Sequence, residues 1–398
     1  MSPLTTHPSY RSVFSYRAFA LLFYVFGTTH SALAASGIAI AATAGHLVAS
    51  FPAAALVDRL PLRRVMLLAD SARLILTLAA GLAWIRGDIP SLPVLYGLAF
   101  LVAIGGAFFG PARAAAVPEI LPSDHLVVAN ALDGLLGSLT FTVTWGLSGF
   151  IVAAIGAANG LLLDAATFFV SLSFVAVARW EGRARQDIHN PSGQASRHPL
   201  ADVCDGLNWV RGEPLVRAML VAQGGYTLAA AVFFTGLVPF LTRHLHGGAA
   251  LYGVQGAVFG GGLAIASWLI GLFSVRKIGL LYCVGLVVNG VGNSLFALAP
   301  SMWYLLPAVF IAGVGKAAHA TGERTLLQVR TPESIRGRVF VLWGTLAQLV
   351  VAPMLAIGGW VSDHIPAQET LLAASIVHVG IGLWLRARAD VTQAQSSG

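Results

Sequence analysis

Eleven apolar segments of 16 to 30 residues follow one another along the 398-residue chain, with mostly short polar stretches between them. These segments are 32–57, 65–85, 93–110, 126–155, 158–178, 215–241, 250–273, 278–298, 302–320, 337–363 and 370–385. A helix needs about 20 mainly apolar residues to cross the roughly 30 Å hydrocarbon core of a bilayer. The pattern therefore predicts a polytopic membrane protein.

The scarcity of charge supports the same conclusion. Charged residues make up 10% of the chain, against about 25% in an average soluble protein. A membrane-spanning segment must satisfy its own backbone hydrogen bonds, which favours helices. With a shorter apolar run, Ala18–Gly27, the eleven segments predict an all-α protein of about twelve transmembrane helices in two six-helix bundles.

The beginning of the chain has two interpretations. Residues Val13–Gly27 can form a short first helix, which requires local thinning of the bilayer. Alternatively, Arg11, Arg17, the apolar run and Ala32-Leu33-Ala34 resemble a signal peptide with its cleavage site, which would leave eleven spans. We favour the retained helix.

The basic residues predict the orientation. With a cytoplasmic N-terminus, 20 of the 24 Lys and Arg residues fall in cytoplasmic segments. Arg86 and Arg243 fall outside, and Arg73 and Lys316 lie within spans. This bias predicts a multi-pass protein of the inner membrane with both termini cytoplasmic. Because the basic residues occupy loops, the net charge of +7 does not indicate a nucleic-acid partner.

A polar stretch at 179–198 divides the spans into two sets of six. It predicts an N-terminal half (1–178), a cytoplasmic linker (179–214) and a C-terminal half (215–398). Within the linker, four apolar residues recur at helical spacing, namely Leu200, Val203, Leu207 and Val210. They predict an amphipathic helix on the inner membrane surface, or alternatively an ordinary helical start to the next span.

The loop Asp58-Arg59-Leu60-Pro61-Leu62-Arg63-Arg64 resembles the short basic loop of the major facilitator superfamily, G-x-x-x-D-R-x-G-R-R. Other stretches are similar to the drug- and siderophore-efflux branch of that family, which includes enterobactin and macrolide exporters: Ala69–Arg73, Gly110–Arg113, Pro118–Pro122, Ala129–Leu132, Leu163–Ala165, Gly206–Leu220, Thr325–Gln328 and Arg336–Val339. The resemblance implies two parallel six-helix halves that alternate access to a site between them.

The resemblance also implies a cytoplasmic gate. In the family, the acid and the basic residues of this loop lock the cytoplasmic side, and an Arg of another helix pairs with the acid. Carried over to this sequence, the gate residues are Asp58, Arg59, Arg63, Arg64 and Arg113. The alternative is that these cations only anchor their loops on the cytoplasmic side.

The chain departs from the family pattern at three positions and at its start. Ala54 and Pro61 replace the two glycines of the loop motif, and Trp145 replaces the proline of the exporter motif in the fifth span. The first helix is also shorter. These departures keep open a non-transporting membrane sensor or assembly protein.

Charged side chains inside spans require a reason, because each costs about 2.5–3.5 kcal/mol at the helix centre on insertion scales. Asp70 and Arg73 are three residues apart and can form a structural ion pair, or act as a gate or proton-linked pair. Asp133 and Asp164 can carry protons or form hydrogen bonds between helices.

Lys316 and His319 share a face of the tenth span, and Glu323 and Arg324 lie just beyond its end. The ammonium can meet an anionic substrate, Asp133 or Asp164, or it can snorkel toward the cytoplasmic surface. Gln223 and Tyr226 are candidates for polar cavity lining. His46 and His378 lie near mid-span, as neutral hydrogen-bonded groups or as proton shuttles.

Close helix packing is predicted at three pairs of glycines that are four residues apart. These pairs are Gly106/Gly110, Gly156/Gly160 and Gly256/Gly260.

The sequence contains no nucleophile elbow, zinc-protease or ATP-binding motif, and two distant cysteines provide neither a disulfide framework nor a metal site. We therefore expect no enzymatic activity, cofactor or metal. The predicted function is proton-coupled export of an amphiphilic small molecule by a monomer, with membrane lipids, substrate and protons as partners. A lipid or lysolipid translocator on the same scaffold is an alternative.

Overall fold

The computed structural model describes residues 16–57, 60–120, 126–178, 199–272 and 277–388, and within these ranges every regular element is a helix. In chain order they are α1 (Tyr16–Thr29), α2 (Ala32–Val57), α3 (Leu62–Ile85), α4 (Leu92–Ile120), α5 (Leu126–Val177), α6 (Pro199–Gly212), α7 (Pro214–Pro239), a π-helical turn (Phe240–His244), α8 (Ala249–Leu272), α9 (Ile278–Ala297), α10 (Met302–Arg330), α11 (Glu333–His364) and α12 (Ala367–Arg386). The all-α prediction is confirmed.

Ten of the described helices are long and apolar enough to cross a membrane, and α1 contributes a shorter apolar helix. Most boundaries agree with the predicted spans to within a few residues. However, two helices continue beyond the predicted ends of their spans: α4 ends at Ile120 and not at 110, and α10 ends at Arg330 and not at 320. Hydropathy marks the thickness of the hydrocarbon, whereas a helix continues until the backbone meets a residue that ends it. For α10 this happens at Thr331-Pro332.

Helix α5 has 52 residues but does not form one straight rod. At 1.5 Å per residue it would be about 78 Å long, more than twice the hydrocarbon core. At Gly156 the backbone leaves the helical region with φ +76° and ψ 171°, a conformation that glycine adopts readily. The break separates residues 126–155 from 157–177, as predicted for the fifth and sixth spans. When α5 is counted as two spans, the ten long apolar helices become eleven spans, and the shorter α1 makes the expected twelve.

The described residues form two compact units. One contains 16–30 and 34–178, and the other contains 31–33 and 199–388. In the first unit, α3 packs against α4 and α5, and α1 packs against α5. The Tyr96 hydroxyl also donates a hydrogen bond to the Ala34 carbonyl (2.7 Å), which ties α4 to α2.

In the second unit, α10 packs closely along α9, and α12 packs on α9 and α7. Glycines, which have no side chain, make the close approach of α9 and α10 possible. A Cβ on Gly322 would lie 2.7 Å from the Tyr282 Cα, and a Cβ on Gly285 would overlap the His319 backbone. Asn289 adds a hydrogen bond across the pair, from its amide to the Ala312 carbonyl (2.8 Å).

The glycine pairs predicted from spacing fare differently from one another. Gly106 and Gly110 face open space, so the prediction of close packing there is wrong. Gly156 breaks a helix. Gly160 does pack against a neighbour, because a Cβ added to it would lie 3.3 Å from the Ala20 Cβ. Spacing alone does not show which side of a helix faces a neighbour and which faces lipid.

The linker contains a separate helix, α6, that ends before Pro214. Val210 is buried with Leu215 and Val216 in the core of the second unit, and Asp205 forms an ion pair with Arg338 of α11 (3.3 Å). Helix α6 is therefore not the start of the next span. Its placement on the membrane surface stays a prediction, and the Leu200 and Val203 side chains lie outside the described residues.

A substitution at Gly322 tests the packing of α9 on α10. Gly322→Val should force the helices apart and lower the free energy of unfolding by about 1–3 kcal/mol, because overpacking distorts a close contact. The matched control is Gly261→Val in α8, where an added Cβ meets nothing within 4 Å. Thermal unfolding of the two purified variants in detergent provides the measurement, and equal midpoints would contradict this account of the packing.

Candidate functional site

The first unit contains the predicted pair Asp70 and Arg73, and the structure brings them together. The Asp70 carboxylate is fully buried; it accepts hydrogen bonds from the Arg73 guanidinium and from the Ser171 hydroxyl (2.6 Å). The guanidinium also lies over the rings of Phe109 and Phe168, with centroids at 4.8 and 4.7 Å. Such a fully engaged pair favours the structural interpretation over a mobile gate or proton carrier.

Arg63, a predicted gate residue, contacts the end of α5. Its Nε donates to the Val175 carbonyl (3.2 Å) and its Nη2 to the Ala176 carbonyl (2.6 Å). The last carbonyls of a helix have no partner within the helix and carry partial negative charge, so a guanidinium there stabilises them. Arg63 therefore anchors the first turn of α3 to the C-terminal end of α5.

The structure describes only some of the other predicted gate and proton residues of the first unit. Arg64 is exposed and Arg113 is half-buried, whereas Asp58 and Arg59 lie outside the described residues. Asp164 is buried at 4% exposure. Asp133 belongs to α5, but its side chain lies outside the described part.

The second unit contains a polar cluster that joins four helices. Its members are Tyr226 of α7, Tyr282 of α9, Lys316, His319 and Glu323 of α10, and His378 of α12. We call this set the polar cluster.

The Tyr226 ring lies at the centre of the polar cluster. Its centroid is 4.5 Å from the His319 ring and 4.7 Å from the His378 ring. The Lys316 Nζ lies 4.4 Å from the same ring, in the geometry of a cation–π contact. Lys316 and His319 do share a face of α10, as predicted, and the structure directs both toward α7.

Glu323 extends the polar cluster by one helical turn. Its Oε2 lies 3.9 Å from the His319 Nε2, and Trp343 of α11 supplies a side-chain hydrogen bond to the carboxyl group. Tyr282 stacks on His319, with centroids 5.4 Å apart. The sequence prediction placed Glu323 beyond the tenth span because hydropathy falls after residue 320. The sequence signal that could have linked Glu323 to His319 is their i, i+4 spacing, which puts both side chains on one face of a helix.

The hydrogen bond of His378 identifies its tautomer. The Nε2 lies 3.3 Å from the Tyr226 carbonyl oxygen. A carbonyl can only accept, so Nε2 carries the proton and Nδ1 of the neutral ring has a lone pair. His378 Nδ1 is buried and has no hydrogen-bond partner among the described residues.

Several further polar atoms of this region are buried without a hydrogen-bond partner in the described part of the chain. They are both ring nitrogens of His319, Glu323 Oε1, Tyr282 Oη and, one turn before Tyr226, Gln223 Oε1. Each such atom costs about 1–3 kcal/mol if nothing satisfies it. Their concentration in one place therefore indicates a site for a proton, water or ligand. The described residues hold no group of three or more metal-binding side chains.

Glycines position the two histidines of the polar cluster. Gly285 of α9 lies against the His319 backbone, and a Cβ on Gly290 would lie 3.0 Å from the His378 Cβ. Both imidazoles therefore reach the interior of the unit because α9 has no side chain at these positions. This arrangement depends on contacts between helices and was not predictable from the spacing of the histidines.

Sequence and structure comparisons give a consistent result. The family described as transmembrane secretion effectors matches residues 18–397. The multidrug efflux pump Tap of Mycolicibacterium fortuitum is 30% identical over 370 residues, which cover 89% of this chain and 86% of Tap. The enterobactin exporter EntS of Escherichia coli is 29% identical over 403 residues, covering 96% and 91%.

Solved transporters share the fold. A POT family transporter in complex with 5-aminolevulinic acid superposes with a TM-score of 0.69, covering 98% of this chain and 96% of that one. The sequence identity is 14%. At that identity the similarity concerns the fold alone.

Replacing Asp70 tests the ion pair of the first unit. Asp70→Ala leaves a buried guanidinium without its carboxylate and should lower the free energy of unfolding by about 3–5 kcal/mol. Asp88→Asn, at an exposed loop position, is the control. Replacing both partners, Asp70→Ala with Arg73→Met, should recover part of the loss in a thermal unfolding assay. A double variant less stable than Asp70→Ala would contradict the ion-pair account.

Proposed function

Because the chain belongs to the transmembrane secretion effector family of the major facilitator superfamily, we propose that it exports an amphiphilic small molecule in exchange for protons. Membership in the family makes it a multi-pass membrane protein and a secondary transporter that exports small molecules, not an enzyme. The coupling ion and the substrate class are the proposed part. We place the protein in the inner membrane, as a monomer.

The proposed cycle is alternating access. The N-terminal half (1–178) and the C-terminal half (215–398) move relative to each other, and the linker (179–214) connects them. Rocking of two such halves around a fixed site is how facilitator folds move substrate. The similarity to Tap and EntS along nearly the whole chain supports this assignment.

The observation that carries proton coupling is the polar cluster. Ionisable side chains inside a membrane bundle are expensive and are usually functional. Here Lys316, His319, Glu323 and His378 lie within one unit. Polar atoms of His319, Glu323 and His378 have no hydrogen-bond partner among the described residues. No ATP-binding motif is present in the sequence, so transport must draw on an ion gradient or on the gradient of the substrate itself. We propose the proton gradient.

Glu323 is the proposed site of proton exchange. In its ionised form, Oε1 can accept a hydrogen bond or a positive charge from a bound amphiphile. A proton arriving from the outer side occupies the same oxygen and weakens that interaction, so substrate and proton alternate. His319, 3.9 Å away, and His378, across the Tyr226 ring, are the neighbouring groups able to pass the proton on.

Each element around Glu323 contributes to its electrostatic surroundings. Helix α10 brings the cations Lys316 and Arg324, and α11 brings Trp343. Helix α9 brings Tyr282, whose ring stacks on His319. From α7 and α12 come Tyr226 and His378, as described above. Gln223 and Tyr226 of α7 would contact the polar and apolar parts of the substrate.

The cytoplasmic gate is proposed from the loop Asp58–Arg64 together with Arg113. Asp58 and Arg59 are assigned to the gate by resemblance to the family motif. Arg63 has a separate role in this proposal: through the Val175 and Ala176 carbonyls it holds the start of α3 on the end of α5. The two helix ends then move together when the half moves.

Replacing Glu323 tests proton coupling. Glu323→Gln should reduce proton-driven transport at least tenfold and remove the pH dependence of substrate binding, because the amide can neither take up nor release a proton. Glu369→Gln, at an exposed position of α12, is the control. Purified protein in liposomes with an imposed pH gradient allows the measurement, with enterobactin and ethidium as first probes. Gradient-driven accumulation by Glu323→Gln at the wild-type rate would refute the proposal.

Replacing Arg63 tests its anchoring role. Arg63→Ala should lower the free energy of unfolding by about 0.5–2 kcal/mol, since the last carbonyls of α5 lose their cationic partner, and should slow transport of the same probes. Its exposed neighbour provides the comparison: Arg64→Ala should change stability by less than about 0.5 kcal/mol. Identical unfolding midpoints for the two variants would show that the contact with α5 is not important.

A further inference from the structure

Helices α9 and α12 lie side by side and run in opposite directions. A Cβ on Gly290 would lie 2.7 Å from the Val379 Cγ2, and a Cβ on Gly382 would lie 2.7 Å from the Val287 Cγ2. The partner of a later residue in α9 is thus an earlier residue in α12, which defines an antiparallel pair. The first residues of α9 therefore lie at the same end as the last residues of α12.

One side of this helix pair is apolar and exposed. On α9 the exposed side chains are Val284, Val291 and Leu295, and on α12 they are Ile376, Leu383 and Trp384. Within each helix these residues are spaced mainly by seven or by four, so they form a stripe along one face. Each stripe lies beside the face through which the two helices touch. In a membrane protein such a face is covered by acyl chains.

Basic residues cluster at one end of the same pair. Lys277 immediately precedes α9 and is exposed. Arg386 is the last residue of α12 and is exposed. The Arg388 guanidinium lies 5.7 Å from the Trp384 ring centroid. Three cationic side chains thus stand where the apolar face ends, next to a tryptophan of the kind found at the headgroup level of membranes.

We propose that the α9–α12 face is a binding site for an anionic phospholipid. Lys277, Arg386 and Arg388 bind the phosphodiester, and the acyl chains lie along the Val284 and Leu383 stripes. The match is one of charge and shape: a headgroup with a net negative charge meets three cations, and the apolar tails continue directly onto the apolar face. A zwitterionic lipid fits the same stripes but brings its own cation to the basic end.

The position of this face links the lipid to the transport site. Tyr282 lies on α9 and His378 lies on α12, so both helices of the lipid site also belong to the polar cluster. A lipid that spans the pair stabilises the packing of these two helices on each other, because a ligand that binds the folded form raises its stability by mass action. The lipid site itself does not depend on proton coupling or on the identity of the substrate.

The experiment compares two lipids on three forms of the purified full-length protein. Native mass spectrometry counts retained phosphatidylglycerol and phosphatidylcholine, and thermal unfolding is measured in nanodiscs of each lipid. The test variant is Lys277→Gln/Arg386→Gln/Arg388→Gln. The control, Arg211→Gln/Arg217→Gln/Arg330→Gln, removes three exposed positive charges from other parts of the same unit.

We expect wild-type protein and the control to retain phosphatidylglycerol at least ten times more than phosphatidylcholine, and the test variant to retain both equally. The preference should fall when NaCl rises from 0.1 to 0.5 M, because salt screens exposed charges. In phosphatidylcholine nanodiscs the test variant and the wild type should have the same unfolding midpoint. In phosphatidylglycerol nanodiscs the midpoint of the test variant should be lower than that of the wild type.

Three results would overturn the proposal: no lipid preference in the wild type, an unchanged preference in the test variant, or an equal loss in the control, which would indicate a diffuse charge effect. If the test variant does not fold, the charge-conserving variant Lys277→Arg/Arg386→Lys/Arg388→Lys and the three single Gln variants provide the comparison. The first should keep the preference and each single variant should reduce it. Transport activity is not part of this readout, so a failure here is distinct from a failure of the export proposal.

Discussion

Close contact between α9 and α10 is the constraint on which the second unit depends. Inside a bilayer, the lipid tails are as apolar as the side chains, so the hydrophobic effect gives little drive for one helix to associate with another. Association relies on van der Waals contact, and this is strongest where the backbones come near each other. Gly285 and Gly322 provide that approach, and Asn289 adds a hydrogen bond to the Ala312 carbonyl within it.

The same close approach makes the polar cluster possible. With no side chain at Gly285 or Gly290, the imidazoles of His319 and His378 reach the interior and meet on the Tyr226 ring. The buried nitrogens and the Glu323 oxygen that have no partner in the described part of the chain would be a liability in a purely structural core. We propose that in this transporter a proton or a substrate binds them. The first unit shows the opposite case, because the carboxylate and the guanidinium of Asp70 and Arg73 are fully engaged.

The family assignment and the geometry contribute different parts of the functional account. Similarity to efflux pumps identifies small-molecule export but does not identify the groups that couple it to an ion. The polar cluster suggests those groups, and it lies in the half that the family loop motif does not cover. The basic end of the α9–α12 face adds a third element, a proposed lipid site on two of the helices that carry the polar cluster.

The sequence by itself determined the membrane class, the helical fold and nearly all of the spans, because hydropathy reports directly on the solvent that each segment requires. It also indicated Tyr226, Lys316 and His319 through their polarity within apolar helices. It placed Glu323 outside the span, since hydropathy ends where the hydrocarbon ends and α10 continues to Arg330.

Only the tertiary structure decided which polar residues meet. The partners in the polar cluster lie on α7, α9, α10 and α12, and their contacts depend on how each helix is rotated about its axis. The glycine pairs illustrate the limit: Gly106 and Gly110 have the spacing of a packing motif but face open space, whereas the isolated Gly322 lies against Tyr282. Periodicity records that one face of a helix differs from the others. Which neighbour that face meets depends on packing between segments far apart in the chain.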